Sequence, residues 1–546
     1  MNSSTYTENV LVDKINSSIQ FMKDTFSSRL FAPIVVSSFG KDSMSSLSLS
    51  LIAWKQATDE HPALLSIPFT VLYADTLLEM PFKRAYIRKS IEAIQKQCQL
   101  LNINICFIKA EPNVSARWQG KVVGGSYRNF NVETTKGSAC SFLWKTEPCR
   151  KYLRKIQNEL SEYGYQPLVI MGLRNDESKV RSIKLSERNA HSLTVQVPSE
   201  NFNFFSLYPV FDLSTSDIWS YLLFCEFILD VPSSKLPGIA NGFPLTCEYY
   251  NELSGSECGL QYSNNCSGRD GCYLCLANNK PYIDEESTIA HPEIRPLLEF
   301  RRFLLENDAN LNLRNFISSN GNFSSSRLIP NGYSGAYLLR ILEIGLTIQK
   351  REQERVRRLS ENTMSGLIQV PNSTHSIDHT FEIFAPEDIV YIDFCWAIRG
   401  LQLEPHAALK AYYRIWYQGV RVDIPEDYKY TQNFLPISEL SSLTGINSEI
   451  FYDDAEETQF EISDSSEWSV NANLANDLLK KDMLEDWIDA NHDFRESIQS
   501  FITSDLISLP ALSTKSINRR IKRVLTIYES QLHHYAYSGG IESLIS

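Results

Sequence analysis

The sequence predicts a doubly wound α/β fold, a parallel sheet with helices on both faces. Three observations carry that expectation. Short apolar runs alternate with helical patterns over the first 230 residues, polar glycine-bearing turns join runs to helices, and 546 residues are enough to bury a large core. Taken in order, residues 32–37 read as a buried strand, 43–57 as a helix, 69–74 as a strand and 82–101 as a long helix. Residues 103–110 and 167–171 supply further strands. A nucleotide-binding domain is therefore expected over 1–230. Residues 231–290, rich in Gly, Asn, Ser and Cys with weak periodicity, read as a cysteine-rich insert that needs a metal or a neighbouring domain for order. Helical spacing returns over 291–430, a helical accessory domain with one long helix over 333–358 and another helical stretch over 388–416. Residues 363–379 and 453–467 read as polar loops, and 431–546 as a C-terminal helical region of unassigned role.

Composition narrows the function classes. The apolar share of 43% and charged share of 21% are those of a globular protein, and no run approaches the ~20 apolar residues of a membrane span. Residues 1–14 show neither an apolar core nor an Arg-rich face, so the expected location is the cytoplasm. There the eleven cysteines read as ligands, catalysts or small buried hydrophobes rather than as disulfides. A formal charge of −13 argues against a stand-alone nucleic-acid binder, whose affinity comes from counterions displaced by Lys and Arg. Basic groups such as Arg150, Lys151, Arg154 and Lys155, or Arg351, Arg355, Arg357 and Arg358, read as solvated helix faces.

The turn Ser37-Ser38-Phe39-Gly40-Lys41-Asp42-Ser43 stands between the first strand and the first helix of the sheet pattern. A helix N-terminus there offers unpaired N–H groups and a positive dipole end to a phosphate or pyrophosphate. Gly40 permits close backbone approach, Ser38 and Ser43 donate hydroxyls, Lys41 neutralises charge, and Asp42 caps the helix or acts through magnesium. No glycine stands five positions before Gly40, so this is not the GxxxxGK[ST] loop. It resembles the SGGxDS loop of the PP-loop ATP pyrophosphatases and sulfate-assimilation reductases, with Phe39 in place of the first glycine.

Three further segments extend the resemblance in family order. Asp75-Thr76-Leu77-Leu78-Glu79-Met80-Pro81 resembles the DTxxExP element at the end of the second strand. Gly172-Leu173-Arg174-Asn175-Asp176-Glu177-Ser178 resembles GxRxxES, with Arg181 matching a following arginine. Arg174 and Arg181 are suited to a bidentate phosphate clamp. Pro209 to Trp219 resembles the PxxxWxxxDVW closing motif, with Leu213 where tryptophan is usual.

Cys258, Cys266, Cys272 and Cys275 fall within eighteen residues and end in a C-x2-C knuckle, the pattern of a four-thiolate site for an iron-sulfur cluster or a structural zinc. Cys247 is near enough to replace one of them. Cys98, Cys106, Cys225 and Cys395 read as structural, and Cys149 is unassigned. Cys140, in Cys140-Ser141-Phe142-Leu143-Trp144-Lys145-Thr146-Glu147-Pro148, resembles the family's C-x4-K-x-x-P element. A thiolate near Lys145 and Arg150 would be stabilised.

Together these motifs resemble most the DndC family of DNA phosphorothioation proteins, over most of residues 30–420. The resemblance implies an adenine nucleotide α-hydrolase-like sheet of the PP-loop type. It implies an enzyme that splits ATP between its α- and β-phosphates and places AMP on a DNA backbone oxygen, after which sulfur displaces AMP. ATP would lie against Ser38, Phe39, Gly40, Lys41, Asp42, Ser43, Asp75, Thr76, Glu79, Lys145, Gly172, Arg174, Glu177, Ser178 and Arg181. Lys41, Asp42, Cys140 and Arg174 form the implied catalytic set, and Mg2+ falls to Asp42, with Asp75 as the alternative. Cys258, Cys266, Cys272 and Cys275 would hold a 4Fe-4S cluster, zinc being the other choice. The implied partners are DNA with a basic subunit, a cysteine desulfurase as sulfur donor, and other DNA-modification subunits. Two other readings stay open. One is a phosphoadenylyl-sulfate reductase using Cys258, whose Glu257-Cys258-Gly259-Leu260-Gln261 resembles the ECGLH motif. The other is a nucleotide-sensing scaffold without catalysis.

Overall fold

The structure is a computed structural model. It describes residues 3–127, 129, 139–175, 192–199, 202–229, 246, 249–250, 272–274, 287–289, 291–308, 310–315, 332–364, 379–426, 468–490, 493–508, 514–529 and 531–539. The chain divides into two compact units. The first comprises Met1–Glu111, Lys145–Asp270 and Pro281–Ala290; the second comprises Pro112–Trp144, Gly271–Lys280 and His291–Ser546.

The first unit is built on five parallel strands, β1 (Phe31–Val36), β2 (Phe69–Ala74), β3 (Ile105–Ala110), β4 (Gln166–Met171) and β5 (Phe205–Leu207), in the order β3-β2-β1-β4-β5. The predicted strands at 32–37, 69–74, 103–110 and 167–171 correspond to β1 to β4, because strands covered on both faces read as continuous apolar runs. The helices are α1 (Ser3–Ser27), α2 (Lys41–Glu60), α3 (Pro81–Leu100), α4 (Glu147–Ser161) and α5 (Thr215–Leu229). On one face Ile34, Leu72 and Val169 meet Leu153 and Ile156 of α4. Elsewhere Trp54 of α2 is fully buried, edge-on to Phe26 of α1 at 5.4 Å and tilted to Phe69 of β2 at 6.2 Å.

Helix α2 carries five buried serines, Ser43 in its first turn and Ser45, Ser46, Ser48 and Ser50 beyond it, where larger apolar residues would be usual. Ser45 and Ser50 donate back to the carbonyls of Lys41 and Ser46, and Ser48 shares a 2.9 Å hydrogen bond with Tyr221 of α5. Small side chains, with the hydroxyls of Ser45, Ser48 and Ser50 hydrogen-bonded, let α1, α2 and α5 pack closely.

The second unit is mainly helical: α6 (Arg295–Asn307), α7 (Gly335–Met364), α8 (Pro386–Arg399), α9 (Ala407–Trp416), α10 (Ala472–Leu478), α11 (Lys481–Ala490), α12 (Phe494–Thr503), α13 (Thr514–Glu529) and α14 (Leu532–Ser538). The helical stretch expected over 388–416 is two helices. Gly400 ends α8 in the left-handed region (φ +64°), and buried Asp393 accepts the amides of Ala408 and Leu409 at the start of α9. Helix α8 is buried on most sides and packs against α9, α10, α12 and α13. Among the described residues no helix is long and apolar enough to cross a membrane.

Candidate nucleotide site

The sheet order reverses direction between β1 and β4, and open parallel sheets bind ligands at the carboxyl ends of strands at such a point. The turn from β1 into α2 lies there. Its backbone explains the atypical sequence: Phe39 stands at φ +57°, a conformation glycine adopts freely and a phenylalanine adopts at about 1–2 kcal/mol. Burial offsets that cost. The Phe39 ring is 1% exposed and edge-on to Tyr73 at 5.4 Å, its N–H donates to Ser37 Oγ, and its carbonyl accepts from Tyr86 Oη at 3.0 Å.

Gly40 caps α2, and the first intrahelical bond runs from Met44 N–H to Gly40 O. The Lys41 N–H donates to Tyr250 Oη at 3.1 Å, so the amides of Asp42 and Ser43 lie in the first turn without an intrahelical acceptor. Ser43 Oγ donates to Gly40 O and stands 3.2 Å from Ser38 Oγ, which shapes the turn. At the end of β4, a Cβ on Gly172 would fall 2.6 Å from the Asp42 carbonyl oxygen, so only glycine lets strand and loop approach this closely.

The charged groups form two clamps. Arg174, 4% exposed, donates from Nε to Asp42 Oδ1 at 2.7 Å, while Lys41 Nζ stands 3.5 Å from Asp42 Oδ2. Glu79, also 4% exposed, lies 3.2 Å from Lys83 Nζ and 3.7 Å from Lys145 Nζ, and accepts from Thr76 Oγ1. Burial pushes the Glu79 carboxyl up, but Lys83 and Lys145, with hydrogen bonds from Lys83 and Thr76, outweigh it and hold the pKa at about 2. Asp75 shapes the second turn: Oδ1 accepts from Leu77 N–H and Oδ2 lies 3.3 Å from Arg84.

These elements surround a cleft of about 390 Å³. Of the residues singled out in the sequence, Ser38, Phe39, Gly40, Asp42, Ser43, Glu79, Lys145 and Gly172 line it. Lys41, Asp75, Thr76 and Arg174 are not in its lining and act behind it, on the loop and on Glu79. Lys83, Arg150 and Cys149 line the cleft without having been assigned to the site from sequence. Lys83 stands four residues after Glu79, at the start of α3, and no motif marks it. Burial pushes the Cys149 thiol up to about 11, against the opposing pull of Lys145, so it is a neutral thiol at pH 7.

Cys140, half-buried in a short helix Ala139–Ser141, belongs to the second unit. Glu177, Ser178 and Arg181, and Cys258, Cys266 and Cys275 of the expected cluster, lie outside the described residues; Cys272 is half-buried. Neither aspartate fits the expected magnesium role. Each oxygen of Asp42 faces a cation, and both oxygens of Asp75 are engaged by an amide and a guanidinium. The carboxylates of this cleft hold cationic side chains.

Comparison with known proteins gives the family context. Residues 32–228 match the phosphoadenosine phosphosulfate reductase domain. No curated protein matches the chain. Among solved structures, the crystal structure of Candida glabrata FMN adenylyltransferase in complex with FAD and inorganic pyrophosphate is similar at 13% identity and a TM-score of 0.24, over 39% of this chain and 58% of that one. The chain thus spans little more than half the length of that structure. Residues 32–228 therefore carry a domain of the phosphoadenosine phosphosulfate reductase kind, in a PP-loop-like α/β fold.

Proposed function

We propose that the chain is an ATP pyrophosphatase that adenylates a DNA backbone phosphate for sulfur incorporation, in the manner of the DndC family. One observation carries the nucleotide part: a helix N-terminus at the sheet's switch point opens on a cleft lined by Lys83, Lys145 and Arg150. In this reading the amides of Asp42 and Ser43 and the cations Lys83, Lys145 and Arg150 bind the triphosphate. A backbone phosphate oxygen attacks the α-phosphorus, the bond to the β-phosphate oxygen breaks, and pyrophosphate leaves with its charge held by the same cations. Buried Glu79 positions Lys83 and Lys145, and the Arg174–Asp42 pair positions the loop. The terminal sulfur of a persulfide, supplied by a cysteine desulfurase, then attacks the activated phosphorus and displaces AMP, and a second thiol cleaves the S–S bond so formed, which leaves sulfur on phosphorus and makes a disulfide of the two thiols. The DNA substrate, the desulfurase and the cysteine-held cluster rest on the motif resemblance alone.

The match to the reductase domain favours one second reading, cleavage of phosphoadenylyl sulfate with Cys258 as nucleophile. Product analysis separates the two. AMP and pyrophosphate from ATP support the first; sulfite and adenosine 3′,5′-bisphosphate from phosphoadenylyl sulfate, with ATP left intact, would replace it with the second.

A further inference from the structure

In the second unit His291 immediately precedes the 3-10 turn Pro292–Ile294 that leads into α6, and His379 stands just before Phe381 and the chain that enters α8. The fold brings both rings to one carboxylate. His379 Nδ1 lies 3.0 Å and His291 Nδ1 3.7 Å from Glu293 Oε1, and the rings are nearly perpendicular, 4.9 Å between centroids. One ligand atom from each of the three side chains falls within 4.8 Å of the others. The His291 and Glu293 side chains are each 2% exposed and that of His379 is 12% exposed.

We infer that His291, Glu293 and His379 form a mononuclear divalent-metal site, suited to zinc, independent of the nucleotide cleft and of the cysteine segment. The donor set is the two-histidine, one-carboxylate set that zinc takes when a further position is left for solvent or a ligand. With metal–ligand bonds of about 2.0–2.2 Å, tetrahedral donor atoms stand roughly 3.3–3.6 Å apart. Closing the observed 3.0 and 3.7 Å on that value needs movements of only a few tenths of an ångström. A second observation points the same way: Glu293 Oε2 is buried with no hydrogen-bond partner among the described residues, an arrangement that is costly without a cation.

Charge around the site favours a cation as well. A cavity of about 410 Å³ lined by Glu293 also holds Glu299, Glu352, Asp423, Arg351 and Arg355. Arg351 pairs with Asp423 at 2.6 Å and Arg355 with Glu352 at 2.7 Å, which leaves Glu293 and Glu299 as net negative charge. Of the three donors, Glu293 lines this cavity.

The test uses the full-length chain freed of metal and titrated with zinc or, as a spectroscopic probe, cobalt. The expected result is one equivalent with nitrogen and oxygen ligation by X-ray absorption and ligand-field absorption free of thiolate charge transfer. That equivalent persists in Cys272→Ser. It is lost in His291→Ala, and Glu293→Gln, which preserves volume, weakens it at least about tenfold. Circular dichroism checks that the variants fold. Metal uptake confined to sulfur ligands in the wild type, or an unchanged nitrogen-and-oxygen equivalent in folded Glu293→Gln, would overturn the inference.

Discussion

At the scale of single residues, the site is decided by how buried groups settle conflicting demands. Phe39 combines a left-handed backbone with a fully buried ring. Removing a buried phenylalanine ring costs about 3–5 kcal/mol, whereas relieving the backbone returns about 1–2. Phe39→Gly, though it restores the glycine of the SGGxDS loop that this turn resembles, is therefore expected to destabilise the first unit by roughly 1–4 kcal/mol, read as a lower denaturant midpoint; an unchanged or raised midpoint would show that the backbone term dominates. Glu79 gives a pH signature. Its folded pKa of about 2 lies below the ordinary 4.5, so its contribution is complete above about pH 4.5 and fades as pH falls towards 2. The stability difference between wild type and Glu79→Gln should be of the order of 3 kcal/mol at neutral pH and shrink below about pH 4.5. A difference independent of pH from 2 to 7 would contradict this.

At the scale of elements, strands were the most legible part of the sequence, since β1 to β4 are apolar runs bounded by turn residues. The turn after β1 was legible for the same reason, as a polar break between two apolar patterns. Helix α1 was not. Its buried residues, Leu11, Ile15, Ile19, Met22 and Phe26, form a seam of about one residue per turn, too narrow to stand out in a polar segment. The cleft's cations Lys83 and Arg150 were equally hidden, because they join the site through the tertiary approach of α3 and α4 rather than through a motif. Arg174 was legible as a site residue, but its burial against Asp42 depends on how β4 meets the loop. That approach is itself testable. Gly172→Ala places a methyl group 2.6 Å from the Asp42 carbonyl, backbone that cannot yield without moving the loop. ATP affinity measured by calorimetry should fall at least about tenfold, a loss of roughly 1.4 kcal/mol, with the unit still folded. Equal affinity would mean that the loop does not hold the nucleotide.

At the scale of the whole chain, a nucleotide-type sheet unit and a larger helical unit share one polypeptide, and the family match covers residues 32–228. The sequence anticipated helices throughout the C-terminal half, and it singled out cysteines as metal ligands. It gave no hint of His291, Glu293 and His379, because His379 lies more than eighty residues beyond the other two and no local spacing connects them. The central claim is that the cleft's cations hold a triphosphate for cleavage at the α-phosphorus. Lys145 tests it with least disturbance, being about half exposed, while Glu79 keeps Lys83 when it is removed. The decisive measurement is steady-state pyrophosphate release from ATP by the full-length protein and by Lys145→Ala. The account predicts measurable release by the wild type and a fall in kcat/KM of about 10²-fold in the variant; no release by the wild type, or equal rates in the two proteins, would contradict it.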